Sequence, residues 1–333
     1  MAFVDPSLNL QTLLLAKRET EQGVENVPDT TNDVINFHTE SNPVGLDARR
    51  ITVQDITGSF TKSKDVIGRK LNPVTFQVHM GGVGDAGSDI EPRWVRLLEA
   101  CGHSTASGNS GGSSSWVLTP DSTAVQSLTF FEYTAKTRKD VVGALGTASL
   151  VFPAGDAPNG TFNFMGEYQT PTSESAFPTS ITRQTKSVKL VQSMGLVIGS
   201  YTPRAQSISL DFAEAVNERP DVNSAEGLYG LFIGDRNPVV TIDLEAEEDQ
   251  PAVDLGSSVS LWDALEDETT QNISWTYSAV ANNFTTLYSL NGMQLVNKQF
   301  RDVNRNRVLT TTWKAQNDTA NGEYTITHTE RHG

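Results

Sequence analysis

Gly108-Asn109-Ser110-Gly111-Gly112 comes nearer to a catalytic motif than any other stretch of this chain. Its spacing satisfies G-x-S-x-G, in which a serine on a sharp strand-to-helix turn is held out as a nucleophile. That chemistry also needs a histidine base and a group to orient it. Both flanks of Ser110 are instead rich in Ser and Gly. The upstream histidines are His38 in a polar arm, His79 on an alternating stretch, and His103 beside the loop. None lies in a recognisable partner motif, so residues 103–115 read as a mobile Ser/Gly loop, not a nucleophile elbow. Asp243, Glu245, Glu247, Glu248, Asp249 and Asp254 gather carboxylates. They lack the ligand register and central glycine of a calcium loop, so a solvated acidic face is expected. Five scattered histidines and one cysteine give no zinc spacing. No Gly-rich phosphate loop precedes a helix. No catalytic, cofactor-binding or metal-ligating residue is assigned, no cofactor is expected, and the chain reads as a non-enzyme.

The elements around these residues are mostly strands. Val74, Phe76, Val78 and Met80 alternate with Thr75, Gln77 and His79 after Asn72-Pro73, the period of a half-buried strand. A Gly-rich turn follows, and Ser88-Asp89-Ile90-Glu91 offers a capping box with Pro92 in the first turn. Ile90, Trp94, Leu97, Leu98 and Cys101 then recur at helical spacing, with Gly102 as a stop. Residues 7–21 carry Leu8, Leu10, Leu13, Leu14 and Leu15 in a spacing that fits a helix or a strand. Ile51, Val53 and Ile56 indicate another strand, and residues 22–45 an arm or long loop.

The strand-turn-helix unit occurs twice. Asn237-Pro238-Val239 is followed by alternating Val240, Ile242 and Leu244, with Thr241, Asp243 and Glu245 on the polar side. Trp262 and Leu265 then echo Trp94 and Leu97. The alternation is one residue out of phase after the shared tripeptide, which implies a bulge or an indel. Ala148, Leu150 and Phe152, a turn, then Phe162 and Phe164 are echoed by Met293 and Leu295, the turn 301–306, then Leu309 and Trp313. Three echoes in one order indicate a duplicated domain. Residues 170–185 break all periodicity. The expected division is a first domain over 1–170 with an N-terminal arm, a linker over 171–186, and a second domain over 187–333. Residues 318–333 read as a polar tail with one possible strand, Tyr324–Thr327. Trp94, Leu97, Leu98, Trp262 and Leu265 are expected in the cores beneath the two helices.

Composition excludes several classes. The chain has 333 residues and a formal charge of −15, which disfavours a surface that grips nucleic acid. One cysteine excludes an internal disulfide framework. No signal-peptide pattern and no apolar run of membrane-spanning length is seen.

An ordered set of segments resembles a known family. It comprises Leu13-Leu14-Leu15-Ala16-Lys17 with Glu19 and Gly23, then Trp94 to Gly102, Leu128-Thr129-Phe130-Phe131 and Val142 to Thr147. It continues with Gly160 to Tyr168, Gly234 to Pro238 and Arg301 to Val308. Taken together these resemble the major tail tube proteins of long-tailed, siphovirus-like bacteriophages, over roughly residues 8–315. The resemblance implies a mainly β fold: a duplicated tail-tube β-sandwich, each copy with one short outer helix, its inner sheets joining into a ring-wide barrel. The type VI secretion tube shares that architecture. The implied function is that of a virion protein whose stacked rings form the hollow conduit for DNA ejection. Its partners would be further copies of itself, in trimeric rings of pseudo-sixfold appearance or in hexamers, with the tail terminator, tape measure and distal tail proteins. DNA would pass without specific binding, no membrane would be involved, and assembly would take place in the host cytoplasm. The polar sides of strands 74–80 and 240–246, with Asp243 and Glu245, are the candidate lumen-facing positions. The alternative from another class is a carbohydrate- or host-binding, adhesin-like β-sandwich, which would need an exposed aromatic cluster; a hydrolase ranks third.

Overall fold

The computed structural model describes residues 12–38, 42–52, 64–83, 90–110, 112–123, 125–174, 176–184, 186–224, 227–246, 255, 260–279, 284–303, 305–316 and 322–331. The chain is mainly β. Its first part contains β1 (Thr12–Arg18), β2 (Val34–Ile35), β3 (Asp47–Ile51), β4 (Val66–His79) and β5 (Gly82–Val83). Helix α1 (Arg93–Glu99) follows, then β6 (His103–Ser110), β7 (Ser113–Pro120), β8 (Leu128–Thr134), β9 (Thr137–Pro153) and β10 (Asn159–Tyr168). The connection holds β11 (Thr172–Ser173) and β12 (Lys186–Ser187). The second part contains β13 (Val197–Ile198), β14 (Ala205–Asp211), β15 (Glu214–Pro220), β16 (Leu228–Arg236) and β17 (Val239–Glu245). It ends with α2 (Asp263–Glu266), β18 (Thr270–Ala279), β19 (Phe284–Val303), β20 (Asn306–Ala315) and β21 (Tyr324–Arg331).

Two layers enclose one core. The first is a continuous antiparallel sheet in the order β3–β4–β10–β9–β14–β17–β20–β19. The second is built on β1–β8 in one half and on β18, with β6–β7–β21, in the other. The long strands β9 and β19 pair into both layers. Period-two alternation sends Val74, Phe76 and Val78, then Phe162 and Phe164, then Ile242 and Leu244, into the core. There Phe76 of the first layer meets Phe130 of the second edge to face at 6.1 Å.

Pairing order repeats along the chain. In the first half it is β1–β8–β9–β10–β4–β3, and in the second β13–β18–β19–β20–β17–β14. A helix follows β4 in one case and β17 in the other. The halves meet where β14 of the second adds to the end of β9 of the first, over Ser207↔Pro153 to Asp211↔Ser149. The final strand β21 also crosses back to β7. The main apolar core runs through both halves without interruption.

Several expectations are corrected. Of the helix and the strand that the spacing allowed, residues 12–18 form the strand; Leu14 and Ala16 enter the main core, while Leu13 and Leu15 pack with Val34 and Phe131 in a second cluster. Burial on both faces removes the alternation that would have identified it. The Ser/Gly stretch 103–115 is the β6–β7 hairpin, in register from His103↔Pro120 to Ser110↔Ser113. Ser, Thr and Gly serve along β6 because beyond His103 it leaves the core, whereas β7 reaches it through Trp116 and Leu118. Ser88 and Asp89 of the capping box lie outside the described residues; α1 begins at Arg93 after Pro92, and Ile90 is exposed. Leu8, Leu10, Val53 and Ile56 also lie outside them. The tail strand spans Tyr324–Arg331 and buries Tyr324, Ile326, His328 and Glu330.

Candidate functional site

The candidate helix-core residues divide. Trp94, Leu97 and Leu98 are buried, and Trp94 Nε1 donates to Gly81 O at 2.9 Å. Gly102 turns the chain out of the helix at φ +77°. Trp262 is 48% exposed, so its assignment to a helix core is corrected. Its indole donates to Glu266 Oε1 at 2.8 Å, and Lys298 Nζ lies 3.4 Å over its ring. The single turn of α2 is rotated so that Leu261 and Ala264 face inward, with Leu265 partly buried against the core. Ser260 caps it, its hydroxyl accepting from Asp263 N while Ser260 N donates to Asp263 Oδ2.

The residues flagged for chemistry are separated. Ser110 ends β6 at the hairpin turn, while His103 begins it. His103 is fully buried and faces Leu98 O at 2.7 Å through Nδ1. A carbonyl only accepts, so Nδ1 carries the proton and Nε2 accepts from Tyr324 Oη at 2.8 Å. Burial pushes this imidazole down to about 4, with the Arg236 charge adding to the effect.

A hydroxyl–imidazole–carboxylate array does occur, in residues not singled out from the sequence. Thr286 Oγ1 lies 2.7 Å from His328 Nδ1, and His328 Nε2 lies 2.9 Å from Glu330 Oε1. All three are buried, and Trp94, Trp116 and Phe284 close over the imidazole at 5.2, 6.1 and 5.8 Å. A nucleophile needs room for a reacting atom about 3 Å away. Here that room is filled by side chains, so the array ties the last strand into the core. Among the described residues, no group of three or more His, Cys, Asp or Glu is gathered as a metal would require. Of the acidic run, Asp243 and Glu245 are described and Glu247, Glu248, Asp249 and Asp254 are not.

The outstanding surface is the outer face of the continuous sheet. Facing away from the core are Thr75 and Gln77, Thr161 and Asn163, Ser149, Ser209, Thr241 and Thr312. Asp243 belongs to this face and accepts from Ser207 Oγ at 2.8 Å, Thr310 Oγ1 at 2.6 Å and Arg301 at 2.7 Å. Glu245 is more open, with Arg204 at 3.7 Å. The face is thus uncharged over most of its area; besides Asp243 with Arg301 and Glu245 near Arg204, it carries Asp211, opposite Ser149, and Lys314, opposite Val239.

Residues spaced far apart in the sequence pattern meet at one buried carboxylate. Glu19 accepts from Gly23 N at 2.9 Å, Gly143 N at 2.8 Å, Ser127 Oγ at 2.6 Å and Thr129 Oγ1 at 2.8 Å. It fastens the end of β1 to β8 and to the bend of β9, with no opening for a ligand role. The chain matches the family described as phage tail tube protein over residues 9–323. It is a member of that family. The tube protein therefore belongs to the virion tail, and Glu19 with Gly23 and Gly143 accounts physically for part of its sequence pattern. No curated protein matches it. No helix among its described residues is long and apolar enough to cross a membrane.

Proposed function

We propose that this tail tube protein polymerises into stacked rings whose bore conducts DNA during ejection. The observation that carries the reading is the continuous sheet with two unpaired ends. At one end, the outer edge of residues 42–51 has no strand partner among the described residues; at the other, the same holds for β19 over Asn297–Val303. A free edge is a template for another strand, and one end of the sheet is suited to pair with the other end of a second copy.

The repeated pairing order supports duplication, with units over 1–170 and 187–333 joined by the linker 171–186. Each half contributes four strands to the continuous sheet. Three chains then close a ring of sixfold appearance, because a heterologous contact closes when its rotation divides the circle. The polar face lies on the bore in this arrangement, including Asp243 and Glu245. Tail terminator, tape measure and distal tail proteins would meet the ends of the tube.

Two projections supply surfaces for stacking. The β3–β4 stem exposes Leu46, Ile51, Val66 and Ile67, and the β15–β16 hairpin exposes Tyr229 and Phe232. Arg69 of one pairs with Glu218 of the other. Negative-stain microscopy of purified protein tests the reading: hollow tubes or rings are expected, and a monomer at every concentration sinks it.

A further inference from the structure

The contact between the two halves of one chain specifies the contact between chains, given the tube reading. The correspondence rests on register. Phe164 sits opposite Gly146 and Val74, and Trp313 sits opposite Leu295 and Val240. Gly146 therefore corresponds to Leu295, and Val74 to Val240. Val296 is an extra residue in β19, left unpaired between Leu295↔Trp313 and Asn297↔Thr312. Beyond it, Leu150, opposite Gly160, corresponds to Phe300, opposite Leu309, and Phe152 to Asp302.

Within the chain, Leu150 pairs with Leu210 of β14, whose other neighbour is Val240. The residue beside Val74 is Val44, through an isolated bridge. Leu210 thus corresponds to Val44. Two residue pairs on, Phe152 faces Ile208 and packs on the stacked rings of Tyr288 and Trp275, at 5.1 and 5.9 Å. Tyr288 and Trp275 sit opposite each other, as Lys139 and Glu132 do in the first half.

The same position is therefore aromatic within the chain and charged at its free end. Leu150 is fully buried, whereas Phe300 is 46% exposed. Phe152 is buried, whereas the Asp302 side chain is 76% exposed, its ion-pair partner the equally open Arg307 at 3.8 Å. Lys139 Nζ donates to Glu132 Oε2 at 3.0 Å and to Val44 O at 2.9 Å, two of the three bonds an ammonium makes.

We propose that the Asn297–Val303 edge of β19 adds antiparallel to the Val44 edge of a second copy of this chain. Phe300 lies beside Val44 of that copy, and Asp302 reaches Lys139. A three-chain ring then alternates aromatic seams inside chains with ionic seams between them, and only the second kind opens under charge reversal.

The register predicts that Asn42 and Asp302 are cross-strand partners, because Ile208 pairs with Phe152. Asn42→Cys with Asp302→Cys should form a disulfide between chains on assembly, closing covalent trimers on non-reducing gels. The native Cys101 is buried and does not compete. Asn42→Cys with Gln299→Cys is the out-of-register control and should stay uncoupled. Asp302→Lys should raise the concentration needed for assembly at least tenfold, with the melting of the unassembled chain unchanged. If wild-type tubes form but Asn42→Cys with Asp302→Cys gives no cross-link between chains, or if Asp302→Lys tubes form at the wild-type threshold, this seam is overturned and the tube reading stands. Absence of wild-type tubes overturns the tube reading itself and this seam with it.

Discussion

Gly143 and Gly292 occupy the same point in two different strand pairs, with φ of +64° and +61°. Each lies at the bulge where a long bent strand passes from one layer to the other, between the pairings of Val142 and Leu145 in β9 and beside Met293 in β19. Positive φ is open to glycine and costs an L-residue about 1–2 kcal/mol. Two bends of one kind, one in each half of the chain, fit the duplication proposed above.

Alanine at the two glycines should have unequal effects. A Cβ at Gly143 would meet Gly23 backbone atoms at 3.4 Å, an ordinary contact, while one at Gly292 would meet Gln316 O at 2.6 Å. Gly143→Ala should therefore cost about 1–2 kcal/mol from backbone strain alone. Gly292→Ala should cost more, because a backbone carbonyl must also move. Urea melts of the unassembled chain rank the two, and the reverse order would refute this account of the bends.

The tryptophans that echo each other in the sequence should behave differently. Trp94 is buried and hydrogen-bonded, so Trp94→Ala should cost about 3–5 kcal/mol. Trp262 is half exposed, held by Glu266 and by Lys298. Trp262→Ala should cost less than about 1 kcal/mol, the scale of an exposed cation–π contact. Equal melting shifts for the two variants would show that α2 docks as α1 does.

His103 makes stability depend on acid. Its folded-state value near 4 lies below the ordinary histidine value of 6.5, so the unfolded chain binds the proton more readily between those limits. The stabilisation is present above pH 6.5 and is lost as pH falls toward 4, by up to about 3 kcal/mol. Glu214 acts in the opposite sense, because burial raises its carboxyl to about 8 from 4.5. Its contribution is present below pH 4.5 and lost as pH rises through 8. His103→Gln should flatten the acid limb of the melting-temperature profile, and Glu214→Gln the neutral-to-basic limb. A His103→Gln profile with an unchanged slope between pH 4 and 6.5 would count against the buried neutral imidazole.

What could be read from the sequence follows from how many faces of each element meet solvent. The strands 74–80 and 240–246 alternate because one face is buried and the other is the polar sheet face, so their period is visible. Leu13 to Leu15 hide theirs because both faces are buried. The hairpin 103–115 carries few apolar residues because β6 is an outer strand whose far end is exposed. Trp262 misleads because an aromatic at the expected offset has the spacing of a core residue, whereas it is the adjacent Leu261 that turns inward. The Thr286–His328–Glu330 array is invisible for another reason. Thr286 and His328 come from two strands 42 residues apart, joined only by the β19–β21 pairing.

The bore should let DNA pass without holding it. Duplex DNA carries about one negative charge per 1.7 Å, and each cationic contact releases counterions and deepens a binding well. On the polar sheet face the Arg301 charge is neutralised by Asp243, the further cation Lys314 is outnumbered by Asp211 and Glu245, and the remaining neighbours are mostly Ser, Thr, Asn and Gln. An uncharged or weakly acidic wall offers no such well, and salt screens its residual repulsion within about 8–10 Å. Asp243 is a poor place to test this, because it also holds Ser207 and Thr310. Glu245 and Asn163 are more open on the same face. Glu245→Lys with Asn163→Lys should leave tube assembly intact by microscopy and make tubes retain linear duplex. The salt dependence of that retention should steepen by about 0.9 in log–log slope for each phosphate that a new lysine neutralises. Ejection through such tubes should slow. Wild-type tubes that bind duplex below micromolar concentration, or lysine tubes that bind no better than wild type, would show that this face does not line the path of the DNA.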